Sequence, residues 1–193
     1  MIWSAVACSE MSPATADRIV DAALERFGRI DTLVNNAGVY ISKPFTDYTA
    51  ADYALITGVN LAGFFWITQR VVAEMATRYG GHVVNITATL AEVANSGEPA
   101  VLSALTKGGL AAATRSLAIE YASRGIRVNA VSPGIIQTPL HPAESYQNLG
   151  GRLPPLGRAG QVSDVVDGIL YLESAPYVTG EILHIDGGRI AGQ

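Results

Sequence analysis

Ile126-Arg127-Val128-Asn129-Ala130-Val131-Ser132-Pro133-Gly134 is the stretch that decides the fold. Residues 126–131 read as a buried strand, and Ser132-Pro133-Gly134 turns the chain out of a sheet. Just before it, residues 102–124 carry the strongest helical pattern in the chain, rich in Ala and Leu and closed by Gly125. The same alternation continues in both directions. Upstream, residues 82–87 form a second apolar strand, separated by Gly80-Gly81 from a helical pattern over 49–79 that is expected to bend near Gly58. Further back lie a strand at Thr32–Asn35, a helix opened by Ser12-Pro13 and ended by Gly28, and a short apolar strand at 2–8. Downstream, an irregular stretch runs to Gly160, Ser163 is expected to cap a helix ending near Ser174, and 181–185 gives a last strand. Strands alternating with helices predict an α/β chain on a parallel sheet. With 193 residues and no repeat, low-complexity tract or linker, 1–193 is expected to be a single domain.

Composition narrows the function classes. The chain is 49% hydrophobic and 16% charged, with a formal net charge of −4. Its basic residues are scattered rather than striped, which argues against nucleic acid or an anionic membrane as a partner. No uncharged apolar run approaches the roughly 18 residues of a membrane span. No Lys or Arg precedes Arg18, so the start does not read as a leader, and a cytoplasmic location is expected. Cys8 is the only cysteine, and the three histidines lie too far apart in sequence for metal-ligand spacing, so no metal site is expected.

Several segments, in this order, resemble the short-chain dehydrogenase/reductase family. They are Asn35-Asn36-Ala37-Gly38 at a strand end, Gly58-Val59-Asn60 within a long helix, and Ser103-Ala104-Leu105-Thr106-Lys107-Gly108-Gly109. The 126–134 strand with Thr138 beyond it and the closing Thr179-Gly180-Glu181-Ile182-Leu183-His184-Ile185-Asp186-Gly187-Gly188 complete the set. Each motif alone has a plainer reading: Asn-Asn-Ala-Gly is a turn, Pro-Gly a chain break, and a helix asparagine a satisfied polar group. Together they imply a Rossmann-like parallel sheet with flanking helices, acting as an NAD- or NADP-dependent oxidoreductase on a small carbonyl or alcohol substrate. The resemblance places Asn36, Ala37 and Gly38 near the adenosine. It places Pro133, Gly134, Ile136 and Thr138 near the nicotinamide, Lys107 on the cofactor ribose, and Asn60 in a proton relay.

Lys107 is one of only two lysines, and it lies in a weakly polar stretch of a helix expected to be buried. In the family a tyrosine stands four residues earlier, on the same helix face. The ammonium lowers its phenol from a pKa of about 10 toward neutrality, making a general acid or base. Here that position is Ser103, whose aliphatic hydroxyl is shorter and far less acidic. The family's substrate-orienting serine position, counted from Asn85, falls on Ala88, flanked by Thr87 and Thr89. Either hydroxyl could take that role. Candidate replacement acids are Tyr146, Glu98 and His141.

No Gly-x-x-x-Gly-x-Gly turn precedes Asn35, so the pyrophosphate grip of the family is not supplied by this sequence. The chain is therefore expected to lack the first βαβ unit and to begin at the family's third strand. In the strand order 3-2-1-4-5-6 that strand would have no neighbour, so residues 2–8 are expected to be displaced, pairing with 32–35 or leaving an edge for another chain. Two functions remain open: a carbonyl/alcohol oxidoreductase, or a truncated or non-catalytic relative that acts only by association. Either is expected to form a homodimer or homotetramer through the helices at 49–79 and 102–124.

Overall fold

The computed structural model describes residues 2–4, 11–138 and 153–192. Ser12 caps α1 (Pro13–Phe27), its hydroxyl accepting the Thr15 N–H at 3.2 Å, and Gly28 closes the helix at φ 77°. β2 (Thr32–Asn35) follows β1 (Ile2–Ser4) in number and lies beside it in space. α2 (Ala50–Thr57), a π-helical turn (Gly58–Ala62) and α3 (Gly63–Arg78) then run as one 29-residue helical stretch. β3 (Gly81–Ile86), α4 (Val101–Tyr121), β4 (Ile126–Pro133), α5 (Val162–Ser174) and β5 (Ile182–Ile185) complete the order.

The five strands are all parallel and stand in the order β1-β2-β3-β4-β5. Side chains alternate across the sheet, so each strand serves two cores. Leu33, Val83 and Val128 join Val20 of α1, Val71 and Met75 of α3 and Ala118 of α4 on one face. Val34, Val84 and Val131 join Leu172 of α5 on the other. Burial on both faces explains why these strands read as apolar runs rather than as a strict polar–apolar alternation.

The α/β expectation holds, with local corrections. Residues 2–4 pair directly with β2, Ile2 opposite Thr32, one of the two arrangements expected for that strand. The rest of the predicted 2–8 strand lies outside the described residues. The bend expected near Gly58 is a π turn, not a break. β4 continues through Pro133, because Gly134 N–H still reaches the Ile185 carbonyl at 3.0 Å. α5 begins two residues earlier than the Ser163 cap predicted: Gln161 is the cap residue, and the Asp164 carboxylate accepts its N–H at 2.8 Å. The 50–78 stretch is long and apolar enough to cross a membrane. Here its Ile56, Ile67, Val71, Val72 and Met75 are instead buried in the protein core.

Candidate functional site

All strands point the same way, so their C-terminal ends share one edge, where open α/β sheets place ligands. Asn35 at the end of β2 donates to Asn85 Oδ1 of β3 at 2.8 Å and to Thr68 Oγ1 of α3 at 2.9 Å. Asn85 in turn donates to Thr114 Oγ1 of α4 at 2.8 Å. This amide chain locks two strands and two helices below the site. Beyond it the chain exposes Asn36 and folds Ala37 and Gly38 half-buried over the helices.

Asn60, Lys107 and Gly38 come together there. Asn60 sits on the π turn, a local widening that recurs at functional positions. Its Oδ1 accepts the Val39 N–H at 2.9 Å, and its Nδ2 donates to the Val39 carbonyl and to Thr106 Oγ1, both at 3.1 Å. The side chain is thus a clamp on the loop after β2. Lys107 Nζ donates to the Ile86 carbonyl at 2.6 Å. Among the described residues it has no carboxylate within salt-bridge distance, and burial pulls its pKa down to about 8. A Cβ placed on Gly38 would stand 3.3 Å from Nζ and 3.5 Å from Asn60 Oδ1, so glycine at this position leaves the amine uncrowded.

The hydroxyls divide sharply. Thr87 turns its Oγ1 back onto the Val131 carbonyl at 3.0 Å, inside the sheet. Thr89 is buried where a short 3-10 turn begins. Ser103 is 2% exposed, and its Oγ is the one fully buried side-chain polar atom with no hydrogen-bond partner among the described residues. It stands one helical turn before Lys107, with Thr106 donating to the Ser103 carbonyl at 3.1 Å. At the end of β4, Gly134 lies against Asp186, whose Cα would be 2.9 Å from an added Cβ. Ile136 lines a cavity of about 420 Å³ with Arg158, Asp164, His184 and Asp186.

Of the candidate replacement acids, Tyr146 and His141 lie outside the described residues. Glu98 accepts the Tyr40 hydroxyl at 2.7 Å. Burial and the Glu98 carboxylate push the Tyr40 phenol well above its ordinary range, which makes it a poorer acid. One cluster was not visible in sequence. Ser132, fully buried on β4, donates to Glu92 Oε1 at 3.2 Å, and Glu92 holds His184 Nε2 of β5 at 3.0 Å. Glu92 is 92 positions from His184, and only the register Ser132↔His184 brings them together. The Glu92 carboxylate fixes the orientation of the imidazole. Among the described residues, no group of three or more metal-ligating side chains converges.

Residues 4–189 match the family described as enoyl-(acyl carrier protein) reductase. The chain is 37% identical over 177 residues to a 3-oxoacyl-(acyl-carrier-protein) reductase of Thermotoga maritima, covering 89% of this chain and 71% of that protein. A gluconate 5-dehydrogenase of Burkholderia cenocepacia, solved with NADP and tartrate, superposes with a TM-score of 0.86 at 30% identity over 96% of this chain and 73% of its own. A short-chain type dehydrogenase/reductase of Mycobacterium marinum superposes with a TM-score of 0.88 at 28% identity, over 94% and 73% of the two chains.

Proposed function

The chain belongs to the short-chain dehydrogenase/reductase family of NAD(P)-dependent oxidoreductases, and on that premise we propose that its C-terminal sheet edge handles a small carbonyl or alcohol substrate beside a nicotinamide dinucleotide. One observation carries the reading: Lys107, Asn60 and the side-chain-free Gly38 converge on a single spot at that edge. The nicotinamide half of the cofactor fits what is present. Lys107 supplies a donor for a ribose hydroxyl, Gly38 allows a close approach, and Pro133 and Gly134 offer backbone at the end of β4. When bound, the dinucleotide supplies or accepts the hydride. The chain's own residues would orient the substrate oxygen and exchange the proton.

Proton exchange is where this site departs from its family pattern. Ser103 cannot supply a phenol, and Thr87 already donates to Val131. Thr89, Lys107 and the Glu92–His184 pair are the groups left to serve the substrate oxygen. NADP is favoured over NAD by the structural relatives solved with it.

The reading is tested by calorimetric titration with NADPH and NADH. It expects saturable binding that Lys107→Met weakens by about tenfold, the loss of one charge-assisted hydrogen bond. Absence of binding to either dinucleotide sinks it. The second reading, a non-catalytic relative acting by association, is favoured by Ser103 in the position of the acid. The exposed Leu105, Ile119 and Phe65 on α4 and α3 support a homodimer or homotetramer under both readings. Sedimentation of Ile119→Lys and Leu105→Lys against the unaltered chain checks that association; an unchanged mass excludes these helices as the interface.

A further inference from the structure

We propose that Lys107 is a carbonyl-capturing amine, forming an imine with small aldehydes or ketones that reach it past Gly38. The inference concerns covalent chemistry of the chain alone and does not rest on dinucleotide binding.

Three observations meet at this amine. Lys107 has a single fixed partner among the described residues, the Ile86 carbonyl at 2.6 Å, so one N–H is oriented while the rest of the nitrogen stays unpaired. On its approach side stands a half-buried glycine, where even a methyl would come within 3.3 Å of Nζ. The helix face one turn earlier presents no phenol, only the unpartnered hydroxyl of Ser103. Burial disfavours the ammonium form and brings the amine's pKa to about 8. A desolvated lysine of this kind holds a useful neutral fraction near pH 7, unlike an ordinary lysine near 10.4. The other lysine is a built-in contrast: Lys43 is fixed to the Asp52 carboxylate at 2.8 Å.

The step balances without a redox partner. The ammonium first releases a proton to solvent. The nitrogen lone pair attacks the carbonyl carbon, forming a C–N bond as the C=O π pair moves to oxygen. Protons shift from nitrogen to that oxygen, which leaves as water while the C=N bond forms. In its protonated state the product keeps one N–H, which can stay on the Ile86 carbonyl; this favours iminium over free imine.

The test is reductive trapping. The chain is incubated with butanal and sodium cyanoborohydride, which delivers hydride to the iminium carbon, and the adducts are located by peptide mass mapping. At pH 7 the Lys107 adduct is expected to exceed the Lys43 adduct by roughly tenfold or more, because the Lys43 amine is tied to the Asp52 carboxylate. Its rate should rise with pH and level off above about 8. Gly38→Val should slow labelling of Lys107 and leave Lys43 unchanged, which would fix the route of entry. Equal labelling of the two lysines, or protection of Lys107, overturns the proposal in the unaltered chain, whether or not the variant folds.

Discussion

The two ends of the sheet solve the problem of buried polar groups in opposite ways. At the N-terminal end, His82, 2% exposed, gives Nδ1–H to Glu173 at 2.6 Å and receives Asn129 Nδ2 on Nε2 at 3.0 Å. Thr32 donates to the other Glu173 oxygen at 2.8 Å, and Arg127 donates to the carbonyls of Leu172, Val178 and Glu173. Asn129 also bonds the Val178 carbonyl and the Glu181 N–H, so every member of the group is paired. At the C-terminal end, among the described residues, Ser103 has no partner and Lys107 no counter-charge, and Gly38 withholds a side chain over both the amine and Asn60. A fully satisfied network holds strands and α5 in place; an under-satisfied one retains capacity for a ligand.

That contrast can be broken by mutation, and the largest effect belongs to the satisfied end. Asn129→Ala removes bonds to His82, Val178 and Glu181 inside the sheet and should destabilise by about 2–4 kcal/mol in urea unfolding. A loss under about 1 kcal/mol would mean that the network is not a structural unit.

At the other end Lys107→Met should stabilise the fold by roughly 1–3 kcal/mol at pH 7. The folded chain holds the lysine pKa near 8, below its unfolded value of 10.5, so protonation favours the unfolded chain between them. Stability of the unaltered chain should therefore rise with pH across that window, and the advantage of the methionine variant should shrink. If the variant is instead less stable at pH 7, Lys107 contributes to the fold and the contrast fails.

Acid acts on the satisfied end. Burial is the main cause that lowers the His82 pKa beneath its ordinary 6.5; Arg127 adds to the lowering, and Glu173 opposes it. Stability contributed by the neutral ring is complete above pH 6.5 and is lost as pH falls below it. His82→Gln should flatten the stability profile below pH 6.5 relative to the unaltered chain, measured as the difference between the two unfolding curves.

The smallest effect expected is that of Ser103→Ala. An unpartnered buried hydroxyl costs desolvation and returns no bond, so its removal should be neutral or stabilising by up to about 1 kcal/mol. A clear destabilisation would show that Ser103 has a partner in solution and that the site is more satisfied than it looks.

Much of this protein was legible in its sequence because its strands are buried on both faces and its helices are closed by Gly28 and Gly125. The resemblance linked Asn60 with Lys107 but put Gly38 by the adenosine, and it is the structure that sets Gly38 against the Lys107 amine. Less legible were the groups joined by register. Glu92 meets His184 only because Ser132 lies opposite His184, and His82 meets Glu173 only because α5 covers the sheet face beside β3. Sequence spacing carries no signal for either pair. The role expected of Thr87 depended on which way a hydroxyl turns, and the carbonyl of Val131 draws it inward.

The sequence by itself determined the alternation of strands and helices, the parallel sheet, the serine one turn before Lys107 and the lack of a Gly-rich phosphate turn before Asn35. These are written in local period and residue identity, which act over a few residues. Only the tertiary structure decided that residues 2–4 pair directly with β2, that Lys107 rests on Ile86, and that, among the described residues, Lys107 has no counter-charge and Ser103 no partner while His82 is fully paired. Those outcomes depend on which groups from distant segments share a low-dielectric space, and packing alone fixes that.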